Sequence, residues 1–205
     1  MAGIEATIIG PLNKDGSLAT GDRHSKMYDA ASRGNLYMGV SASGGIALIV
    51  PATTGGHPTL WNPKGSGVNL DVRRLSLTWV SGANAPGAVE WASTLEAGAQ
   101  VATGAPIVTA TKVAATNAIA GGPVAAKGYW SPTTNTFTAA PVFLRGAGIS
   151  LFTGISTTAV APFSLFADYD GDLIVGDGAA ISLCFQAATT TALFQVAVIW
   201  EEIPY

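Results

Sequence analysis

The residues that come closest to chemistry by type and spacing are the carboxylates of Asp168-Tyr169-Asp170-Gly171-Asp172, with Asp177 close behind. Carboxylates at alternate positions can wrap a calcium ion through oxygen ligands, which makes Asp168, Asp170 and Asp172 the candidate metal ligands of this chain. The run departs from the EF-hand pattern: Leu173 holds the sixth position, where glycine makes the sharp turn, and Ala179 holds the twelfth, where glutamate closes the shell. It reads as an acidic turn between strands.

Other catalytic patterns fail at specific residues. His24 and His57 are far apart and have no neighbouring His or Cys, so neither reads as a metal ligand. Gly39-Val40-Ser41-Ala42-Ser43 misses the nucleophile elbow at its last position. In Gly121-Gly122-Pro123-Val124-Ala125-Ala126-Lys127, Ala126 replaces the glycine of a phosphate loop, and Gly128 replaces its Ser or Thr. A glycosidase pair would have to come from Glu90 and Glu96, which read as solvated residues. The expectation is a protein that is not an enzyme and takes no cofactor. Cys184, the sole cysteine, cannot form an intramolecular disulfide and reads as a buried, inert thiol.

The element that organises the rest is the closing ribbon, Leu173 to Trp200. In Ile181-Ser182-Leu183-Cys184-Phe185-Gln186, alternation points Ile181, Leu183 and Phe185 into a core, and Ser182 and Gln186 away from it. The last run puts Phe194, Val196, Val198 and Trp200 on one face, while Leu193, Ala197 and Ile199 load the other. A strand apolar on both faces needs cover on both, and a second copy of the chain would supply it. Phe194, Val196, Val198, Ile199 and Trp200 are the expected oligomer interface.

Upstream, strands recur at short intervals without a helical layer. Ile46, Leu48 and Val50 alternate, then Pro51 and Gly55-Gly56 break the run. Val68, Leu70 and Val72 share one parity, Leu75, Leu77 and Trp79 the other, which predicts a bulge at Arg73-Arg74. Val89 to Ser93, Val142 to Leu144, Ile149 to Phe152 and Phe163 to Phe166 add further short strands, and Ala97 to Gly122 could be strand or helix, with the β-branched residues of Ile107 to Thr111 favouring strand. The fold class is all-β, an antiparallel β-sandwich or jelly roll occupying residues 37–205. Residues 1–36 read as an extended arm, because they gather Glu5, Lys14, Asp15, Asp22, Arg23, Lys26, Asp29 and Arg33, with a short helix stopped by Gly34.

Composition limits the partners. Charged residues make up 11% of the chain, against about 25% in ordinary domains, and between Leu75 and Ala167 the only charges are Glu90, Glu96, Lys112, Lys127 and Arg145, so much of that stretch is expected to be covered by neighbours. A net charge of −3 gives no electrostatic basis for nucleic-acid binding. Uncharged stretches with scattered Ser, Thr, Gly and Gln fit strands better than a membrane helix. Met1 to Glu5 has no basic region leading into an apolar core, so the product is expected to stay in the cytoplasm where it is made. Trp61, Trp79, Trp91, Trp130 and Tyr129 read as core, with Trp130 beside Tyr129 the best candidate for an exposed sugar-stacking ring.

Three stretches carry a resemblance: Thr59-Leu60-Trp61-Asn62-Pro63-Lys64-Gly65-Ser66-Gly67-Val68-Asn69-Leu70, Leu75 to Gly82, and Val196 to Pro204. They are similar to structural proteins of tailed bacteriophages, small jelly rolls that decorate or cement capsids or form fibre heads. The resemblance spans Ile46 to Tyr205. It implies a virion protein assembled in the host cytoplasm as a homotrimer, with its C-terminal strands near the shared axis. Its expected partner is the major capsid protein, whose shell it would stabilise. Arg23, Lys26 and Arg33 of the arm are the expected capsid contacts. The alternative within virions is a tail or fibre head that binds a host glycan.

Overall fold

The computed structural model describes residues 26–82, 87–94, 116–117, 126–132, 134–151, 164–169, 171–186 and 192–205. One short helix, α1 (Lys26–Ser32), precedes the strands. It stops as the sequence predicts: Gly34 adopts φ 77°, and the Asn35 and Gly34 amides donate to the Ala30 and Ala31 carbonyls at 3.0 and 2.9 Å. That is the double bond of a Schellman cap.

The strands are β1 (Leu36–Val40), β2 (Thr54–Gly56), β3 (Thr59–Trp61), β4 (Val68–Ser81), β5 (Gly87–Thr94), β6 (Thr116–Asn117) and β7 (Tyr129–Ser131). They continue with β8 (Thr134–Thr136), β9 (Val142–Leu151), β10 (Ser164–Asp168), β11 (Ile174–Val175), β12 (Ala180–Phe185) and β13 (Leu193–Pro204). The all-β class is therefore the observed one. A 6-stranded sheet runs β10-β4-β13-β1-β6 with β11 also on β4; a 5-stranded sheet runs β7-β3-β12-β5-β9; β2 and β8 form a 2-stranded ribbon. All these pairings are antiparallel, and four of them nest along the chain: β1 with β13, β3 with β12, β4 with β10, and β5 with β9.

One buried cluster draws on both large sheets, taking Leu70, Leu75, Val196 and Trp200 from the first and Leu60, Trp91, Leu183 and Phe185 from the second. Across it, Trp91 Nε1 donates to the Tyr169 hydroxyl at 2.9 Å. The bulge falls where the parity switch predicts it. Ile199 pairs with Arg74 and Trp200 with Val72, so Arg73 is the extra residue and both halves of β4 turn their apolar parity inward.

Two expectations are overturned. Residues 46–50 form no strand, only a bridge between Ile46 and Phe194. The reason is a change of partner: Ile46 bonds β13, but the Ile49 carbonyl accepts from Phe185 of β12, so the segment crosses between sheets. Ser182 is buried rather than turned to solvent, because β12 is covered on both faces. The packed chain begins before residue 37, with Ala30 buried and the Asn35 carbonyl accepting from the Glu202 amide at 2.9 Å. The strand expected at 107–111 lies outside the described residues.

Candidate functional site

The outer face of the 6-stranded sheet, turned away from the core, is built by alternation and register. Residues pair across it in rows. Phe166, Ser76, Ala197 and Val40 form one row; Asp168, Arg74, Ile199 and Met38 form the next; Ser164, Thr78 and Gln195 form a third. Phe166 is 67% exposed and Val40 42%, while Leu193, Ala197, Ile199 and Met38 are partly exposed. In these rows the charges are Arg74 and Asp168. They neutralise each other through bonds of 2.6 and 3.3 Å, and the carboxylate raises the guanidinium pKa further.

The expected interface residues divide on this geometry. Phe194, Val196, Val198 and Trp200 are fully buried within the single chain, because their parity faces the subunit's own core. Their side chains are unavailable to a partner. Ile199, with Leu193 and Ala197 beside it in alternation, is the one of the five that reaches the outer face.

Charge gathers at one end of the same face, under α1. Arg73 pairs with Glu201 and, at 3.2 Å, with Asp71; Arg33 reaches Glu201 at 3.7 Å. Arg33, expected as a capsid contact, is thus engaged with its own fold. Lys26 lies with Met27, Arg73, Arg74, Asp168 and Tyr169 around a hollow of about 170 Å³. Arg23 lies outside the described residues. Beside this cluster, Glu202 is buried and accepts the Lys127 and Gly128 amides at 2.7 and 2.8 Å; burial raises its carboxyl pKa, with those bonds pulling the other way.

The acidic turn is dispersed rather than convergent. Asp168 faces Arg74, and Asp172 lies 3.9 Å from Arg145, whose guanidinium also donates to the Asp172 carbonyl. Asp177 turns to the Ser66 amide at 3.1 Å and closes the loop between β3 and β4. Asp170 lies outside the described residues, among which no cluster of ligating side chains forms. Trp130 is fully buried, which removes it as a sugar-stacking ring; Tyr129, partly exposed, stacks on Trp61 at 5.3 Å.

The second face of β12 brings together two residues that sequence spacing kept apart. His57 Nδ1 lies 3.5 Å from Cys184 Sγ, and both side chains are buried. Burial pushes the thiol up to about 12 and the imidazole down to about 4. At neutral pH the pair is thiol and neutral imidazole, so it lacks the thiolate a cysteine nucleophile requires. Around it, Thr59 Oγ1 meets Ser182 Oγ at 2.9 Å, Asn135 Nδ2 donates to the His57 carbonyl at 2.6 Å, and Ser131 Oγ donates to Asn135 Oδ1 at 2.6 Å. The polar residues on β12 and in the segment before β3 were the available signal, but only the fold makes them neighbours. No known protein family matches the chain, and neither the curated proteins nor the solved structures give a match.

Proposed function

We propose that this chain is a structural subunit of a tailed-bacteriophage virion, a homotrimeric jelly roll that decorates the head by binding the major capsid protein. The jelly-roll reading is supported by the nested pairing of β1 with β13, β3 with β12, β4 with β10 and β5 with β9. A ribbon folded twice over gives that order, with the paired strands distributed between two sheets.

The observation that carries the reading is the outer face of the 6-stranded sheet. Apart from the Arg74–Asp168 pair, the three rows away from the α1 end of this face hold no charge, and Val40, Phe166 and Ile199 offer apolar area there beside small and hydroxyl side chains. Self-association is the economical way to cover such a face, since closed symmetry repeats one contact in every subunit. A trimer then presents three copies of each attachment point, and weak contacts to a shell multiply. The test is electron microscopy of purified particles carrying the protein, joined to sedimentation of the full chain. Threefold density on the shell, with three copies in solution, is expected. Density on the tail, or a single copy in solution, overturns the proposal.

A further inference from the structure

The ribbon β2–β8 is separate from the two large sheets, and Phe137, just after β8, packs with Ala180 on the second face of β12. Its attachment passes through His57. The imidazole Nε2 accepts the Ala52 amide at 3.3 Å, which leaves the ring proton on Nδ1, toward Cys184 Sγ at 3.5 Å. The His57 carbonyl accepts from Asn135 of β8 at 2.6 Å and from Thr59 Oγ1 at 2.7 Å. Phe137, just after β8, bonds the Thr53 carbonyl at 2.7 Å and sets its ring 5.9 Å from the imidazole. Both ring nitrogens are therefore engaged, Nε2 by the segment that leads into β2 and Nδ1 by β12, and only the neutral ring can hold the two together this way. A proton on Nε2 would face the Ala52 N–H, donor against donor.

We propose that the β2–β8 ribbon is an acid-released cover over Cys184, latched by the neutral ring of His57. The groups facing the ring offer a buried cation no compensation. At the ring these are the Ala52 amide from the segment before the ribbon, the Phe137 ring just after β8 and the Cys184 thiol of β12, while the Asn135 amide of β8 and the Thr59 hydroxyl of β3 bond the His57 carbonyl. On β5, Glu90 is the carboxylate close enough to raise the thiol, while burial sets the imidazole low. The sign follows from linkage: the open ribbon binds the proton at the ordinary 6.5 and the closed one at about 4. Closure is therefore complete above 6.5 and is lost as pH falls toward 4. Between pH 7 and pH 4 the open fraction should rise roughly 100-fold. The core cluster that joins the two large sheets does not include the ribbon strands, so opening need not disturb it.

The experiment reads Cys184, the one thiol, in the full chain with 4,4′-dithiodipyridine, which reacts with thiols in acid, while near-ultraviolet circular dichroism follows the tryptophan core. Relative to an unstructured thiol peptide, Cys184 should be protected at pH 7 and react near pH 4 with the core signal intact. His57→Gln, which can accept the Ala52 amide but cannot take the proton, should stay protected at pH 4. Protection of the wild type at pH 4, exposure that coincides with loss of the core signal, or His57→Gln opening at the wild-type pH would each overturn the proposal. Should that variant fail to fold, nuclear magnetic resonance of the two wild-type histidines decides. One ring titrating far below the other supports the latch, and both titrating near 6.5 refute it.

Discussion

A methyl group added at Gly39 would sit 2.3 Å from Trp130 Cγ and 2.5 Å from its Cδ1, well inside contact distance. Gly39 belongs to β1 and Trp130 to β7, so this contact joins the two large sheets. Trp130 is fully buried and cannot swing into solvent. Gly39→Ala should therefore act as overpacking and cost about 2 kcal/mol. Trp130→Ala removes a buried indole and should cost roughly 3–5 kcal/mol. The pair should not add. With the ring gone the methyl group has room, so the double variant should fall short of the sum by about 1–2 kcal/mol. Urea unfolding followed by far-ultraviolet circular dichroism measures all three, at one protein concentration because association raises apparent stability. If Gly39→Ala is neutral and Trp130→Ala costs under about 1 kcal/mol, the ring lies in solvent and this account of the core is wrong.

Two further outcomes follow from the buried charges. Glu201→Ala strips Arg73 and Arg33 of a shared partner; since Asp71 still holds Arg73 at 3.2 Å, the loss should be about 2–3 kcal/mol, below that of a fully orphaned buried charge, and a midpoint unchanged in urea would contradict it. Glu202 has its folded pKa raised by burial above the ordinary 4.5, so its contribution is complete below that value and is lost as pH rises through the folded one. The stability of Glu202→Gln minus that of the wild type should therefore rise between pH 4 and pH 7, and a difference that falls as pH rises would show the sign to be reversed.

Sequence reasoning succeeds where one residue's neighbours along the chain decide the outcome. The parity change around Arg73 and Arg74 predicts the bulge, because a strand cannot keep both apolar sets inward without an extra residue. Gly34 predicts the helix stop for the same local reason. It fails where a third layer intervenes. Ser182 alternates like a solvent-facing residue, yet Thr59 and the segment carrying His57 cover it. His57 reads as solitary because Cys184 is 127 residues away. Within the candidate site, the doubly apolar character of β13 is legible, but which parity belongs to the subunit core is not. Only the pairing of β13 between β4 and β1 assigns Phe194, Val196, Val198 and Trp200 inward and leaves Ile199 outside.

The claim on which the functional account turns is that the outer face of β13 is an interface between copies of this chain. Sedimentation velocity of the full chain at micromolar concentration, beside Ile199→Asp, tests it most directly. A species of three times 20.7 kDa is expected for the wild type and a folded single copy for the variant, since a carboxylate added beside the already neutral Arg74–Asp168 pair brings an uncompensated charge into the contact between copies. A wild type that stays at one copy across the range, or a variant that still assembles, would contradict it.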